Sequence, residues 1–181
     1  MIFEPKEIIL KDGRRAVLRT PEVDEAESQL NFIKTASGET DFLTRYPEEW
    51  EIPLEKEAAW ISSVRSSPNE LVIACYVDGE QAGSCDVSFL MGKKAGHRAG
   101  VGIALLRKYW NLGIGSALFS ELIAAAQARG TEIMEREFVE GNDRARHLYE
   151  KFGFSIVSVK PKAFKLKDGT YKNEYYMQKY L

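Results

Sequence analysis

The chain has only two cysteines, Cys75 and Cys85, and two histidines, His97 and His147, in 181 residues. Two thiols cannot build a disulfide framework, and these spacings do not match a Cys/His metal cage, so no metal is expected. Each cysteine falls in a predicted strand, where a free thiol serves as a small apolar filler. No apolar run reaches the roughly 18–20 residues that a membrane helix requires. The start, MIFEPKEIILKDGRR, lacks a signal-peptide pattern. There is also no concentrated basic stripe with interleaved aromatics, so nucleic acid is not an expected partner. These absences predict a reduced, cytoplasmic protein that does not engage a membrane.

What is present is an uneven spread of charge. Residues 22–57 hold eleven carboxylates against Lys34, Arg45 and Lys56, while bases outnumber acids over the rest of the chain. One reading is a solvated face on two helices. The other is an acidic mouth that draws a cationic substrate, opposite a basic region suited to a polyanionic cofactor. The length and the 44% hydrophobic content suffice for one domain over 1–181 with a proper core.

Strand and helix patterns alternate. EIILKDGRRAVLR (7–19) reads as a hairpin about Asp12-Gly13. Helices are predicted over 22–36, with Val23, Ala26, Leu30 and Ile33 inward, and over 53–67, with Leu54, Ala58, Ile61 and Val64 inward. Two strands follow about Asp78-Gly79 (70–91), then a strand at 96–106, a helix at 115–130 and a strand at 131–140. A helix at 142–153 and two strands complete the order ββααβββαβαββ, a mixed α/β domain.

LRKYWNLGIGSAL (106–118) joins a strand to a helix through Gly113 and Gly115. The first turn of such a helix offers free N–H groups and the positive end of its dipole, and glycine lets a phosphate approach them. A tight, closely packed turn would use the same residues. A P-loop is excluded because Ser116-Ala117 follow the glycines, and a dinucleotide fingerprint because Leu118 stands where its third glycine belongs.

NDRARHLYEKFGF (142–154) changes the balance. Asn142, Ala145, Leu148, Tyr149, Lys151, Gly153 and Phe154 match a signature N-x-x-A-x-x-L-Y-x-K-x-G-F. Here the chain resembles the GNAT superfamily of acyl-CoA-dependent N-acyltransferases, in the branch of ribosomal-protein and small-amine acetyltransferases. The superfamily's other signature, R/Q-x-x-G-x-G/A, is met by Gly113 and Gly115, but Trp110 replaces its Arg or Gln.

The resemblance implies a mixed, mostly antiparallel sheet splayed at a cofactor cleft, with helices on both faces. It implies acetyl-CoA as co-substrate. Main-chain groups of Ala104, Leu105 and Leu106 would meet the pantetheine arm, and a backbone N–H near Leu105 would polarise the thioester carbonyl. Amides of Leu112, Gly113, Ile114, Gly115, Ser116 and Ala117 would hold the pyrophosphate. Asn142 would bond the pantetheine arm, and Tyr149 would protonate the departing thiolate as general acid. Transfer would proceed by direct attack of a primary amine in a ternary complex.

Four candidates remain for the base that deprotonates the amine: Glu39, Glu135, Glu137 and His97. Arg136 occupies a position usually apolar in the family. The acidic segment favours a small cationic amine as acceptor over a protein N-terminus. A non-catalytic acyl-CoA-binding module is the alternative of another class. A homodimer through YYMQKYL as an edge strand is a further expectation.

Overall fold

Burial sorts the strands into central and peripheral ones. β3 (Glu70–Val77) is buried along almost its whole length, β4 (Glu80–Phe89) largely alternates, and β7 (Ser155–Lys165) is exposed nearly throughout. A strand buried on both faces must lie in the middle of a sheet covered on both sides. The computed structural model describes residues 1–181 and has one eight-stranded sheet of order β1-β2-β3-β4-β5-β6-β8-β7. Its other strands are β1 (Lys6–Ile9), β2 (Arg15–Arg19), β5 (Arg98–Leu105), β6 (Ile133–Val139) and β8 (Tyr171–Tyr180). Every pairing is antiparallel except β5–β6. The element order agrees with the sequence reading. The C-terminal strand, however, lies inside the sheet between β6 and β7, and β7 is the edge.

Helices α1 (Ala26–Gly38) and α2 (Leu54–Ser66) cover the front face, and α3 (Ile114–Ala128) and α4 (Asp143–Lys151) the back. The back-face core joins Ile73, Cys75, Cys85 and Val87 of the sheet to Leu118, Phe119 and Leu122 of α3. Each such large side chain contributes about 1.5–3 kcal/mol when fully buried. Phe119 is the hub of an aromatic cluster, its ring 5.3 Å from Tyr149, 5.6 Å from Phe152 and 6.0 Å from Phe154.

On the front, the inward stripe of α1 is Ala26, Gln29, Phe32 and Ala36, while Val23 lies outside the helix and is exposed. The phase differs from the apolar pattern because a polar residue takes a core position. A bulge at Ala82 turns Gln81 toward α1, where its Nε2 donates to Gln29 Oε1 at 2.6 Å. Leu54 is likewise exposed, and Glu57 takes an inward place on α2. No helix is long and apolar enough to cross a membrane.

One topological feature prepares the site. β5 and β6 share only three parallel pairs, Arg98–Ile133, Ala99–Met134 and Gly100–Glu135, and then part. The fork opens between β5 running on to Leu105 and β6 running on to Val139.

Candidate active site

The fork leads into a cleft of about 680 Å³. Its walls include Ile103, Ala104 and Leu105 of β5, Arg136 and Phe138 of β6, and the first turns of α3 and α4. Those two helix starts differ. At α4 the Asn142 side chain accepts from Ala145 N–H at 3.2 Å, a side-chain cap. At α3 the cap is Gly113, at φ +97°, and no side chain satisfies the turn. The first amide to close that helix is Ala117 N–H, onto Gly113 O at 3.0 Å, so the amides of Ile114, Gly115 and Ser116 have no intrahelical acceptor.

The two glycines serve different ends. Gly113 needs its left-handed backbone. A Cβ on Gly115 would lie 3.3 Å from Leu148 Cδ2 and near Ile103 and Leu105. Gly115 therefore permits close packing of α3 on α4 and the sheet, where the sequence suggested room for a phosphate.

Three cations, two from α4 and one from the β1–β2 turn, surround the open helix end. Lys151 Nζ donates to Ser116 Oγ at 2.9 Å, Arg144 Nη1 donates to Asn111 Oδ1 at 2.6 Å, and Lys11 lines the cleft beside Gly113. Trp110 helps assemble this rim. Its indole N–H donates to Leu105 O at 3.0 Å, and the Arg144 guanidinium lies over its ring at 4.3 Å. The family's Arg or Gln is absent from the loop, but an arginine from α4 stands against the residue that replaces it. Single-position motif matching does not reveal these partners.

Of the sequence-predicted cofactor residues, Ala104, Leu105, Gly113, Gly115, Ser116, Asn142 and Tyr149 line the cleft. Leu106 is buried and its N–H is bonded to Ala82 O. Ile114 is fully buried in the core, the Leu112 carbonyl accepts from Lys11 N–H, and the Ala117 amide is used within the helix. The N–H groups of Leu106 and Ala117 are thus engaged within the protein and not offered to the cleft.

Tyr149 is 1% exposed, yet it lines the cleft. α4 is closed behind it by Gly153 at φ +84° and by Phe154 N–H bonding Tyr149 O at 3.0 Å. Arg136 Nε donates to the Tyr149 hydroxyl at 3.2 Å, and Arg136 Nη1 donates to Val101 O at 3.0 Å. The arginine thus bridges β6 to β5 just where they part. Burial works against its charge. Tyr149, Asp86 and Glu137 offset this, and the guanidinium is held more basic than usual.

The candidate bases are scattered. Glu39 accepts from Arg107 N–H at 2.6 Å, on the rim of a separate acidic groove along α1. Glu135 forms a bidentate pair with Arg98, at 2.7 and 2.6 Å, and accepts from Gln178 at 2.9 Å. Burial raises its carboxyl, but these bonds outweigh burial and hold it below the usual range. His97 precedes β5 at its paired end, away from the fork's opening. Glu137 is exposed on the front of β6, in a depression with Ser158, Lys160, Glu174 and Tyr176. His147 is exposed at the cleft wall. The buried thiols are poor nucleophiles: burial pushes Cys75 up to about 12 and raises Cys85 as well.

The sequence reading missed Asp86. It projects from β4 on the front face opposite Gly102 and is exposed to solvent. Burial raises its carboxyl above the usual range, only partly opposed by Arg136.

The model of the Acetyltransferase (GNAT) family matches residues 36–154. The L-amino acid N-acetyltransferase AaaT of Escherichia coli (strain K12) is 27% identical over 134 residues, 73% of this chain and 82% of that protein. A GNAT-family acetyltransferase from Streptococcus pneumoniae superposes with a TM-score of 0.85 at 27% identity, covering 92% of this chain and 99% of its own. A putative acetyltransferase from Salmonella typhimurium, solved with its cofactor acetyl-CoA, superposes with a TM-score of 0.78 at 16% identity, covering 92% and 94%. The free amides of α3, the forked sheet and the match across two-thirds of the sequence agree: this chain belongs to the GNAT family, and it is an N-acetyltransferase that uses acetyl-CoA.

Proposed function

We propose that the acceptor is a small cationic primary amine, acetylated by direct attack in a ternary complex. The observation that carries this reading is the split of charge across the fork. Lys11, Arg144 and Lys151 gather at the α3 end of the cleft. Asp86, Glu137 and Glu174 stand on the front face, with Lys160 against Glu174, and a separate groove along α1 carries Asp24, Glu27 and Glu39. A polyanionic co-substrate suits the first and a cation the second.

Acetyl-CoA supplies the activated acetyl thioester. The residues present fit it: the amides of Gly115 and Ser116 and the three cations suit a pyrophosphate, and β5 beyond Val101, whose carbonyl Arg136 takes, has an edge free of β6 for an extended arm. Because Arg136 donates to the Tyr149 oxygen, the phenol's own proton is left to be given into the cleft. Tyr149 is the group we assign to protonate the leaving sulfur, and Arg136 is its positioning residue. The guanidinium also sets a fixed positive charge beside the phenolate that remains after donation.

A second reading has a specific observation behind it. The Escherichia coli relative acts on L-amino acids, and an α-amino acid carries its own carboxylate, which the Arg136 side of the fork would accept. The neighbour from Brucella melitensis is a ribosomal-protein-alanine N-acetyltransferase, which keeps N-terminal peptides in the test. Thiol release from acetyl-CoA is measured with putrescine, spermidine, L-amino acids and N-terminal peptides. Release with the diamines and polyamines at lower KM than with amino acids or peptides is expected. Release with peptides alone would overturn the small-amine reading.

The same reading treats residues 1–181 as one catalytic domain working in the cytoplasm, consistent with two free thiols. A homodimer would form through β7, an edge strand that exposes Ile156, Val157 and Val159. A sedimentation mass of one chain would remove that part.

A further inference from the structure

Gly102 has no conformational reason to be glycine, since its φ is not in the left-handed region. Its reason is a neighbour. A Cβ there would lie 2.2 Å from Asp86 Oδ1 and 2.9 Å from Asp86 Cγ. The carboxylate is thus seated on the bare backbone of β5, two residues beyond the last β5–β6 pair. Gly100, on the same face, has open space where its side chain would be. The two glycines leave a bare strip along the front of β5, walled by Asp86 and Ser88 of β4 on one side and by Glu135 and Glu137 of β6 on the other. Gly102 directly precedes Ile103–Leu105, the stretch of β5 that lines the cleft.

We infer that Asp86 is the group that receives the acceptor: it binds the incoming ammonium over Gly102 and takes its proton. This rests on the acetyltransfer reading above. Asp86 accepts one proton from the ammonium. The neutral nitrogen then attacks the thioester carbonyl carbon, an N–C bond forms and the C–S bond breaks. The nitrogen's surplus proton leaves to solvent, and the sulfur takes one from Tyr149, giving amide and free thiol. The charged groups facing Asp86 are Arg136 through the fork, Glu70 from β3 and the Arg98–Glu135 pair on β5 and β6, with Glu137 farther along β6. Glu135 is neutralised by its arginine, so Asp86 keeps its place as the free carboxylate at the root of the fork. Its raised carboxyl brings proton affinity closer to neutral pH, which suits a base.

The test compares Asp86→Asn, Gly102→Ala and Glu137→Gln with the wild-type enzyme, using whichever of putrescine, spermidine or L-phenylalanine gives the fastest thiol release. Acetyl-CoA affinity is measured in parallel as a check on the fold. Wild-type turnover with none of these amines would count against the small-amine reading itself, and peptides would then serve as the acceptor. With turnover in hand, Asp86→Asn is expected to lower kcat/KM by about 100-fold or more. Its residual activity should climb with pH as the amine deprotonates in solution, while acetyl-CoA binding is retained. Gly102→Ala, which displaces the carboxylate without removing it, is expected to lose at least tenfold. An Asp86→Asn variant within twofold of wild type, or a loss that falls on Glu137→Gln instead, overturns the assignment. Should Asp86→Asn fail to bind acetyl-CoA, Gly102→Ala decides: wild-type kcat/KM there overturns it equally.

Discussion

The two faces of the β5–β6 fork are built on opposite plans. The back is closed and aromatic: Tyr149 is sealed among Phe119, Phe138 and Phe154, and basic side chains rim the open start of α3. The front beside the fork is open, glycine-floored and acidic, with Asp86 over Gly102 and Glu137 exposed beyond it. Arg136 belongs to the back by its hydrogen bonds and reaches the front by its charge. On the proposed reading, one parting of strands serves two reactants: the closed face holds acetyl-CoA, and the open face receives the acceptor.

The comparison breaks most sharply at Tyr149. Tyr149→Phe removes one oxygen and leaves the aromatic packing. It is expected to lower kcat by about 100-fold or more with acetyl-CoA affinity retained, measured by steady-state kinetics and calorimetry. Equal turnover in the two forms would withdraw the acid role. Next comes Arg136→Met, which removes a charged hydrogen-bond donor worth about 1.5–3 kcal/mol. The expected result is a kcat loss of about tenfold or more, together with a displaced basic limb of the pH–rate profile. An unmoved limb would make Arg136 structural only.

A smaller effect concerns stability. The folded state raises the Asp86 carboxyl, so Asp86 holds its proton to higher pH when folded than when unfolded. Its contribution is most favourable below the ordinary carboxylate value and is lost as pH rises through the folded value. Asp86→Asn should therefore melt higher than wild type at neutral pH and should show no such gain in acid. Thermal melts at two pH values decide the sign.

Much of the back face was readable in the sequence because its residues lie in contiguous runs. Leu148 and Tyr149 sit on one helix that Asn142 caps and Gly153 closes, and Gly113 marks a helix start by its own backbone. The front face was not readable in that way. Asp86 looks like an ordinary outward polar residue of an alternating strand, and its seat, Gly102, is set by hairpin register across the β4–β5 connection. Lys11 and Arg144 converge from a turn and from α4 with no local pattern to announce them, whereas Lys151 stands in the 142–154 signature. The α1 phase was misread for a related reason: Gln29 is buried because Gln81 meets it, a pairing across 52 residues.

Charge reversal on each face tests the division of labour most directly. Acetyl-CoA dissociation constants and acceptor KM values are measured at low salt for Lys151→Glu and Glu137→Lys. Lys151→Glu should weaken acetyl-CoA by about tenfold and leave the amine's KM nearly unchanged. Glu137→Lys should raise the amine's KM several-fold and spare acetyl-CoA. If Glu137→Lys weakens acetyl-CoA as much as Lys151→Glu does, the two reactants do not approach from opposite faces, and the account fails.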